Sequence, residues 1–508
     1  MRLPVVFFIL FLLVINAVAH FLPFERSSLA PDDYYYLRWM KEVNPTHLSD
    51  YFKISPDRPI AHMLINGLFK VVQDNSQLSL IYIFLVSSFN LLLVFFIFKA
   101  LFNNLSLAFI GSLIFCLMPN MLEVYHTFTY AFPATHIGVY LASFLFYLYF
   151  NKKKKIIYLV FSLATYTAGL LAYEVGFFLP VIFLAYNILY LKESPKKHLL
   201  YFTIPAFFYA LLRLSSALSF SGVSTAAIPR QIAFSLSPFI DLFHQYLGRY
   251  MMRNILYGIY KFFDMDLSLR LFIIFMDIII VASLFFLLKK VNLEKVSKRL
   301  LIFAFWVFSA FLLPIALYGS GVGGRHLVLP SIGFVIFLIW LLERTGRYWR
   351  LTFLAFVSLA LIICQGNAWI QVIACRINGA IYETMKEKKS QLLAAGNIVI
   401  DTKSFADNID FTWKITEHNV LNTYYGAQAF EEWMFENMAK LITGDNNKAV
   451  YAAIGSVISE DGWLKFEIAG EREYRRILKK TVILPAQGSV IIDFKTVYNK
   501  GFKNGLRI

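Results

Sequence analysis

Two adjacent carboxylates, Asp32 and Asp33, run directly into three tyrosines, Tyr34 to Tyr36, and Asp57-Arg58-Pro59 follows. A carboxylate can take the proton of an attacking hydroxyl. Tyrosine faces such as that of Tyr34 suit sugar rings, and the Arg58 guanidinium suits a phosphate or carboxylate, which it can grip with two parallel hydrogen bonds. The bland alternatives are concrete. Asp32 and Asp33 could be solvated loop acids, with Asp32 capping the helix that begins after Pro31. Arg58 could belong to a surface Asp–Arg pair of little energetic weight.

Other residues carry possible chemistry further along. Glu174 sits in a very short turn, Tyr173-Glu174, between two apolar runs, and is either a wet loop residue or an inward-facing acid. Arg325 and His326 close a glycine-rich stretch from Gly319, where the backbone can approach a ligand closely. The arginine falls where a helix begins, a position that favours anions; the alternative is a plain turn with an interfacial arginine. Walker spacing is absent, so this is not a P-loop. His126 lies between Pro119 and Pro133, with His136 just beyond, and a lone histidine there is more often structural. Asp264-Met265-Asp266 is a DxD pattern, which can hold a divalent cation on a sugar donor. No dense set of metal ligands accompanies it, so no residue is assigned to metal and a divalent cation stays open.

The elements that must position these groups are set by composition. The chain is 58% hydrophobic and only 16% charged, far from an average soluble domain. Several apolar runs approach the ~20 residues that cross a bilayer. The first, Leu3 to Leu22, ends just before the acidic pair. Ala17-Val18-Ala19 within it resembles a signal-peptide cleavage site, but the run is long for one and is expected to be an anchor. Further spans are expected at 78–98, 105–122, 133–150, 156–172, 176–191, 199–214, 269–288, 300–318, 326–342 and 351–369, about eleven in all.

The net charge of +16 would ordinarily raise nucleic-acid binding, but its placement argues against that. Lys152 to Lys155, Lys192 to Lys197, Lys289 to Arg299 and Arg344 to Arg350 all lie in short gaps between apolar runs. With Arg2 inside, alternation puts every one of these clusters on the cytoplasmic side. The outer side then receives 23–77, the turn at Glu174, 215–268, Gly319 to Arg325 and everything after about residue 370. Trp39, Leu37, Met40 and Val43 are spaced for an amphipathic helix on the membrane surface, with a second from Ile60 to Val72.

In the tail, Ala368 to Leu393 has helical spacing and continues the last span outward. Asn397 to Asp401 and Val490 to Phe494 read as strands, and Ala429 to Leu441 as a helix. The expected architecture is a polytopic α-helical membrane domain over 1–370 and a small extracytoplasmic α+β domain over 371–508. Cys116, Cys364 and Cys375 form no CxxC pair and imply neither zinc nor a disulfide framework.

Taken together, these motifs resemble the GT-C fold glycosyltransferases. Asp32-Asp33-Tyr34 looks like that family's acidic motif in the first outer loop. Arg58-Pro59-Ile60 resembles the Arg/His-Pro-Leu element that often follows it. Ala172-Tyr173-Glu174-Val175-Gly176-Phe177-Phe178-Leu179-Pro180 is similar to its Lys-Glu-x-Gly-x-x-x-Pro turn, with Tyr173 where lysine is common. Gly324-Arg325-His326-Leu327-Val328-Leu329-Pro330-Ser331-Ile332-Gly333-Phe334 resembles the Glu-Arg-Tyr-Leu-Tyr-Leu-Pro-Ser-Val-Gly-Phe element of O-mannosyltransferases with tetratricopeptide tails. No tetratricopeptide pattern is visible here, and no Trp-Trp-Asp motif of the oligosaccharyltransferase type.

The resemblance implies a polyprenyl-phosphate-linked sugar donor, a glycan, lipid or protein acceptor, and inversion at the anomeric carbon. Asp32 or Asp33 would be the base, and Arg325, with Arg58 or a basic residue of 215–268, would stabilise the leaving phosphate. Tyr34, Glu174, His326 and His126 would line the substrate path. The alternatives are a flippase or transporter of lipid-linked saccharide, for which Asp277 is the clearest acid inside a span, a polymerase or ligase of such saccharides, or a silent assembly protein.

Overall fold

The structure is a computed structural model that describes residues 3–22, 24, 29, 31–56, 58–119, 128–191, 199–219, 252–263, 265–289, 291, 293, 295–317, 327–401, 432–444, 448–453, 457–473 and 476–493. Helix dominates, and a helix lies over each stretch expected to be a span. In chain order these are α1 (Leu3–His20), α2 (Pro31–Val43), α3 (Leu48–Ile54), α4 (Pro59–Val72), α5 (Ser76–Phe102), α6 (Leu105–Cys116), α7 (Phe128–Lys153) and α8 (Ile156–Leu170). Then come a 3-10 turn (Glu174–Gly176), α9 (Leu179–Tyr186), a π-helical turn (Asn187–Leu191) and α10 (Leu200–Ser219). The series closes with α11 (Arg253–Phe263), α12 (Leu267–Leu288), α13 (Lys298–Leu317), α14 (Val328–Arg344) and α15 (Trp349–Glu387).

Among the described residues, Ser76–Phe102, Glu174–Leu191, Leu267–Leu288 and Gly346–Trp369 are long and apolar enough to cross a membrane. Pro4–His20, Leu105–Cys116, Ile156–Leu170 and Leu200–Leu214 are apolar but shorter. Local chemistry sets several ends. Asn75 caps α5 by accepting from the backbone N–H groups of Gln77 and Leu78, both at 3.1 Å, as a side-chain oxygen at that position does. Asn103 ends α5 in the left-handed conformation. Asn104 caps α6 through Leu107 N–H at 3.0 Å. Pro59 opens α4, where its missing N–H costs no helical bond.

Two close approaches hold the bundle together. A side-chain carbon added to Gly366 on α15 would meet the Gly258 carbonyl oxygen on α11, so these helices cross backbone against backbone. Gly333 on α14 faces the Ala304 carbonyl of α13 in the same way. Polar side chains add hydrogen bonds across helices. Asn16 Nδ2 donates to Ser87 and Ser88, each at 3.2 Å. Gln365 Nε2 donates to Asp277 Oδ1 at 2.7 Å.

The last span does not stop at the expected boundary near 369 but continues as one 39-residue helix to Glu387, as its spacing predicts. It is followed by α16 (Lys389–Ala394), β1 (Asn397–Asp401), α17 (Glu432–Thr443), β2 (Ala449–Ala453), β3 (Ile458–Glu460), β4 (Trp463–Glu473), β5 (Arg476–Pro485) and β6 (Ser489–Ile492). The strands form one mixed sheet in the order β3-β4-β2-β1-β6, with β5 also paired to β4. Parallel pairing aligns Ile398 with both Val450 and Val490, whereas β4 runs antiparallel to β2, β3 and β5.

Asp461-Gly462 turns β3 into β4 with both residues at positive φ, the conformation an Asp-Gly hairpin turn requires. One sheet face, with Ile398, Ile400 and Ile492, joins Phe435, Met438 and Ala439 of α17 in the core shared with the helical bundle. Val399, Ala453, Leu464 and Phe466 form a separate cluster on the other face. Helix α2, expected as a surface amphipathic helix, buries Leu37 and Met40 and has α17, α4 and α7 as its protein neighbours.

Candidate functional site

The turn after α8 is built to present Glu174. Tyr140 donates its hydroxyl to the Tyr173 carbonyl at 2.6 Å, and Tyr166 donates to the Phe177 carbonyl at 2.8 Å. These two bonds bracket the 3-10 turn. Gly169 and Gly176 both lie against the Tyr140 ring, where any side chain would collide, so the glycine two residues after Glu174 has a packing reason.

The start of α4 is tied to the same place. Ile60 N–H donates to the Leu171 carbonyl at 3.3 Å, which brings Arg58, at the helix N-cap position, to Glu174. Arg58 Nη2 donates directly to Glu174 Oε1. A second cation, Arg213 from α10, places its Nη2 3.7 Å from the same oxygen, and the Tyr209 hydroxyl donates to Glu174 Oε2 at 3.4 Å. Glu174 is buried, at 8% exposure, so this is a partly desolvated cluster of two cations and one carboxylate.

Aromatic groups surround it. The Arg58 guanidinium lies 5.3 Å from the Tyr173 ring centre, within reach of a cation–π interaction. His136 is 6.2 Å from Tyr173, and His62 stands edge-on to Trp39 at 4.9 Å. Burial works against the Arg58 cation, but the charge of Glu174 outweighs it and holds the guanidinium above its ordinary value, fully protonated. Burial first, and the Arg58 charge second, bring His62 on the short helix α4 down to about 4, so it is neutral at pH 7. Trp39, on α2, thus links the acidic helix to the arginine cluster through His62.

Arg58 and Glu174, 116 residues apart, are therefore partners rather than two separate contacts. The Asp32 side chain lies outside the described residues. Asp33 is fully buried on the first turn of α2. Tyr34 is also buried, its ring 4.9 Å from that of Tyr382 near the C-terminal end of α15. Burial, then Tyr382, raises the Tyr34 hydroxyl well above its usual value, so it is a neutral donor. Asp57, His126, Asp264, Arg325 and His326 lie outside the described residues.

Asp266, the second acid of the DxD pattern, is engaged as the cap of α12. It accepts from Ser268 N–H at 3.1 Å, from Leu269 N–H at 3.4 Å and from the Ser268 hydroxyl. Among the described residues no three His, Cys, Asp or Glu side chains gather as metal ligands.

Tyr209, Arg213, His62 and Trp39 do not stand out as site residues in the sequence. The available signal is Arg213 itself, a charge closing an otherwise apolar run, a placement that marks a residue with a partner. A scan against protein-family models finds no match to this chain, and a search among curated proteins finds none.

Proposed function

We propose that this chain is an integral membrane glycosyltransferase that moves a sugar from a polyprenyl-phosphate donor to an acceptor hydroxyl at the outer face. The observation that carries the reading is the junction of Arg58 and Glu174, with Arg213 joining from a third element. Two of the four sequence motifs that resemble those of GT-C glycosyltransferases meet there, beside the helix that bears the acidic pair. The finer architecture belongs to the same proposal: a GT-C-like bundle of about eleven crossings, the N-terminus cytoplasmic and the tail extracytoplasmic.

In this mechanism Asp32 or Asp33 accepts the proton of the acceptor hydroxyl as its oxygen attacks the anomeric carbon from the side opposite the phosphate. The glycosidic carbon–oxygen bond breaks, the electron pair leaves on the polyprenyl phosphate, and the configuration inverts. Arg58 and Arg325 stabilise the charge that develops on the leaving oxygen, a contribution often the largest in such sites.

The test is transfer by the purified chain in nanodiscs from a panel of radiolabelled polyprenyl-phosphate sugars, beside the Asp32→Asn/Asp33→Asn variant. Release of polyprenyl phosphate by the wild type alone supports the reading. Equal release by the variant removes the acidic pair from catalysis, and no release from any donor removes the activity. A second reading, transport of a lipid-linked saccharide, draws on one observation: Asp277 is a carboxylate within an apolar span, bonded to Gln365. Flipping of a labelled lipid without turnover would favour it.

A further inference from the structure

We propose that β3, β4 and β5 present a docking surface for the lipid bilayer, so that the tail rests on the membrane as well as on α2. The inference goes beyond the transferase reading and does not depend on it.

Register fixes which way each side chain points, because alternate residues of a strand face opposite sides of the sheet. Ile398 and Ile400 of β1 lie in the core shared with the bundle, and Val399 between them lies in the separate cluster. Parallel pairing carries the Val399 side to Tyr451 and, two residues on, to Ala453. Ala453 pairs with Ile468 of β4, and Leu464 and Phe466 are buried in that same cluster. Trp463 and Lys465 therefore face the other way, to the side on which α17 and the bundle lie. Trp463 pairs with Glu460 of β3 and Pro485 of β5, and Lys465 with Ile458 and Ile483. All six of these residues are exposed. Helix α17 packs on β2 and in turn on α2, so the bundle side of the sheet is covered over its middle and open over β3, β4 and β5.

The chemistry of the open part fits a bilayer surface. Tryptophan is enriched at headgroup level, where its amphipathic ring meets both lipid and water. Ile458, Ile483 and Pro485 put apolar surface around Trp463. Lys465 can lay its stem along them and keep its ammonium in water. Six residues are far fewer than the roughly 20–30 a side that a stable protein–protein interface takes. A bilayer needs no such area, since the bundle acts as a tether that already holds the tail beside it. The open surface is also continuous with the side by which the sheet packs toward the bundle.

The test uses the full chain, one copy per disc, in phosphatidylcholine nanodiscs in which part of the lipid carries a nitroxide at the top of its acyl chain. Cys116, Cys364 and Cys375 are all buried, so a cysteine placed on the sheet can be labelled selectively with a fluorescent dye. Ile458→Cys and Ile483→Cys put the dye on the bundle side. Ser459→Cys and Lys480→Cys put it on the opposite face of the same two strands, since these residues pair with Leu464 and Ile468. All four positions are exposed, so none of the substitutions disturbs the core. The nitroxide lipid should quench the first two labels and leave the other two unquenched. Trp463→Ser should weaken the quenching at both bundle-side positions.

The proposal is overturned if the bundle-side labels are quenched no more than the far-side ones, whether all four respond or none does. It is also overturned if the bundle-side labels escape the lipid nitroxide in single-copy discs but become shielded in vesicles holding many copies, because a second copy of the chain would then be what covers the face. Sugar transfer plays no part in the readout, so the failure of either reading leaves the other standing.

Discussion

Lys386 Nζ lies 3.1 Å from Asp74 Oδ2, joining the C-terminal part of α15 to the segment between α4 and α5. Lys386 also reaches Glu383 at 3.0 Å and lies over the Tyr382 ring at 4.4 Å, and Tyr382 in turn packs on Tyr34. The tail and the helix carrying the acidic pair are therefore fastened to each other from two directions, through α17 and through Tyr382.

The Lys386–Asp74 pair should contribute less than about 1 kcal/mol, since both side chains are over a third exposed. Burial raises the Asp74 carboxyl, but the hydrogen bond and charge of Lys386 outweigh it and hold the group below its ordinary value. The folded value is lower than the unfolded one, so the stabilisation is complete above about pH 4 and is lost as pH falls through the depressed value. Lys386→Gln should remove that acid dependence and speed proteolytic cutting near the tail at neutral pH. An identical pH profile for the variant would rule the pair out.

The bond from Gln365 to Asp277 should behave differently, because it lies between helices. Asp277→Leu strands the Gln365 amide and should destabilise the chain by about 1–2 kcal/mol. Asp277→Asn retains an acceptor for Gln365, and Asp277→Leu with Gln365→Leu removes both polar groups; each should recover most of the loss. Melting in detergent reads all three.

The helical framework is legible in the sequence because a span needs only a long apolar run, and that signal survives any packing arrangement. The continuation of α15 past residue 369 is legible from its helical periodicity. The hairpin of β4 and β5 escaped the sequence reading, although Leu464-Lys465-Phe466-Glu467-Ile468 alternates apolar and charged residues and Asp461-Gly462 marks the turn before it. The site is legible residue by residue but not as a constellation. Nothing local in Arg58 or Glu174 says that they meet; their contact depends on the Ile60–Leu171 backbone bond and the Tyr140 ring, both set by tertiary packing. The second acid of the DxD pattern has a local role that the pattern itself does not announce, since Asp266 is positioned as a helix cap.

Two glycine substitutions should differ in sign. Gly366→Ala drives a methyl into the Gly258 backbone, so α11 and α15 must separate, at a cost of about 1–3 kcal/mol. Gly67 lies within α4 with nothing near an added carbon, so Gly67→Ala should gain about 0.5–1 kcal/mol from helix propensity. Equal melting shifts would contradict the backbone crossing.

His62 offers a pH-dependent check on the arginine cluster. Its folded value, about 4, lies below its unfolded one of about 6.5. Between the two the unfolded chain binds the extra proton, so this contribution is present above the upper value and fades as pH falls through the lower. Arg58→Gln removes the second cause of the depression and should move the His62 titration upward, measured by NMR of isotope-labelled histidine. An unmoved titration would show that burial alone sets it.

The unbroken α15 makes the join between bundle and tail a matter of angular phase. Its 39 residues span about 58 Å at a rise of about 1.5 Å per residue. One residue inserted between Trp369 and Ile381 would swing everything beyond it by about 100°. Tyr382 would then point away from Tyr34, and Lys386 away from Asp74. Seven inserted residues would nearly restore the heading but lift the tail by about 10 Å. The length of this segment is therefore locked like the teeth of a gear: no small insertion or deletion there leaves both fastenings engaged.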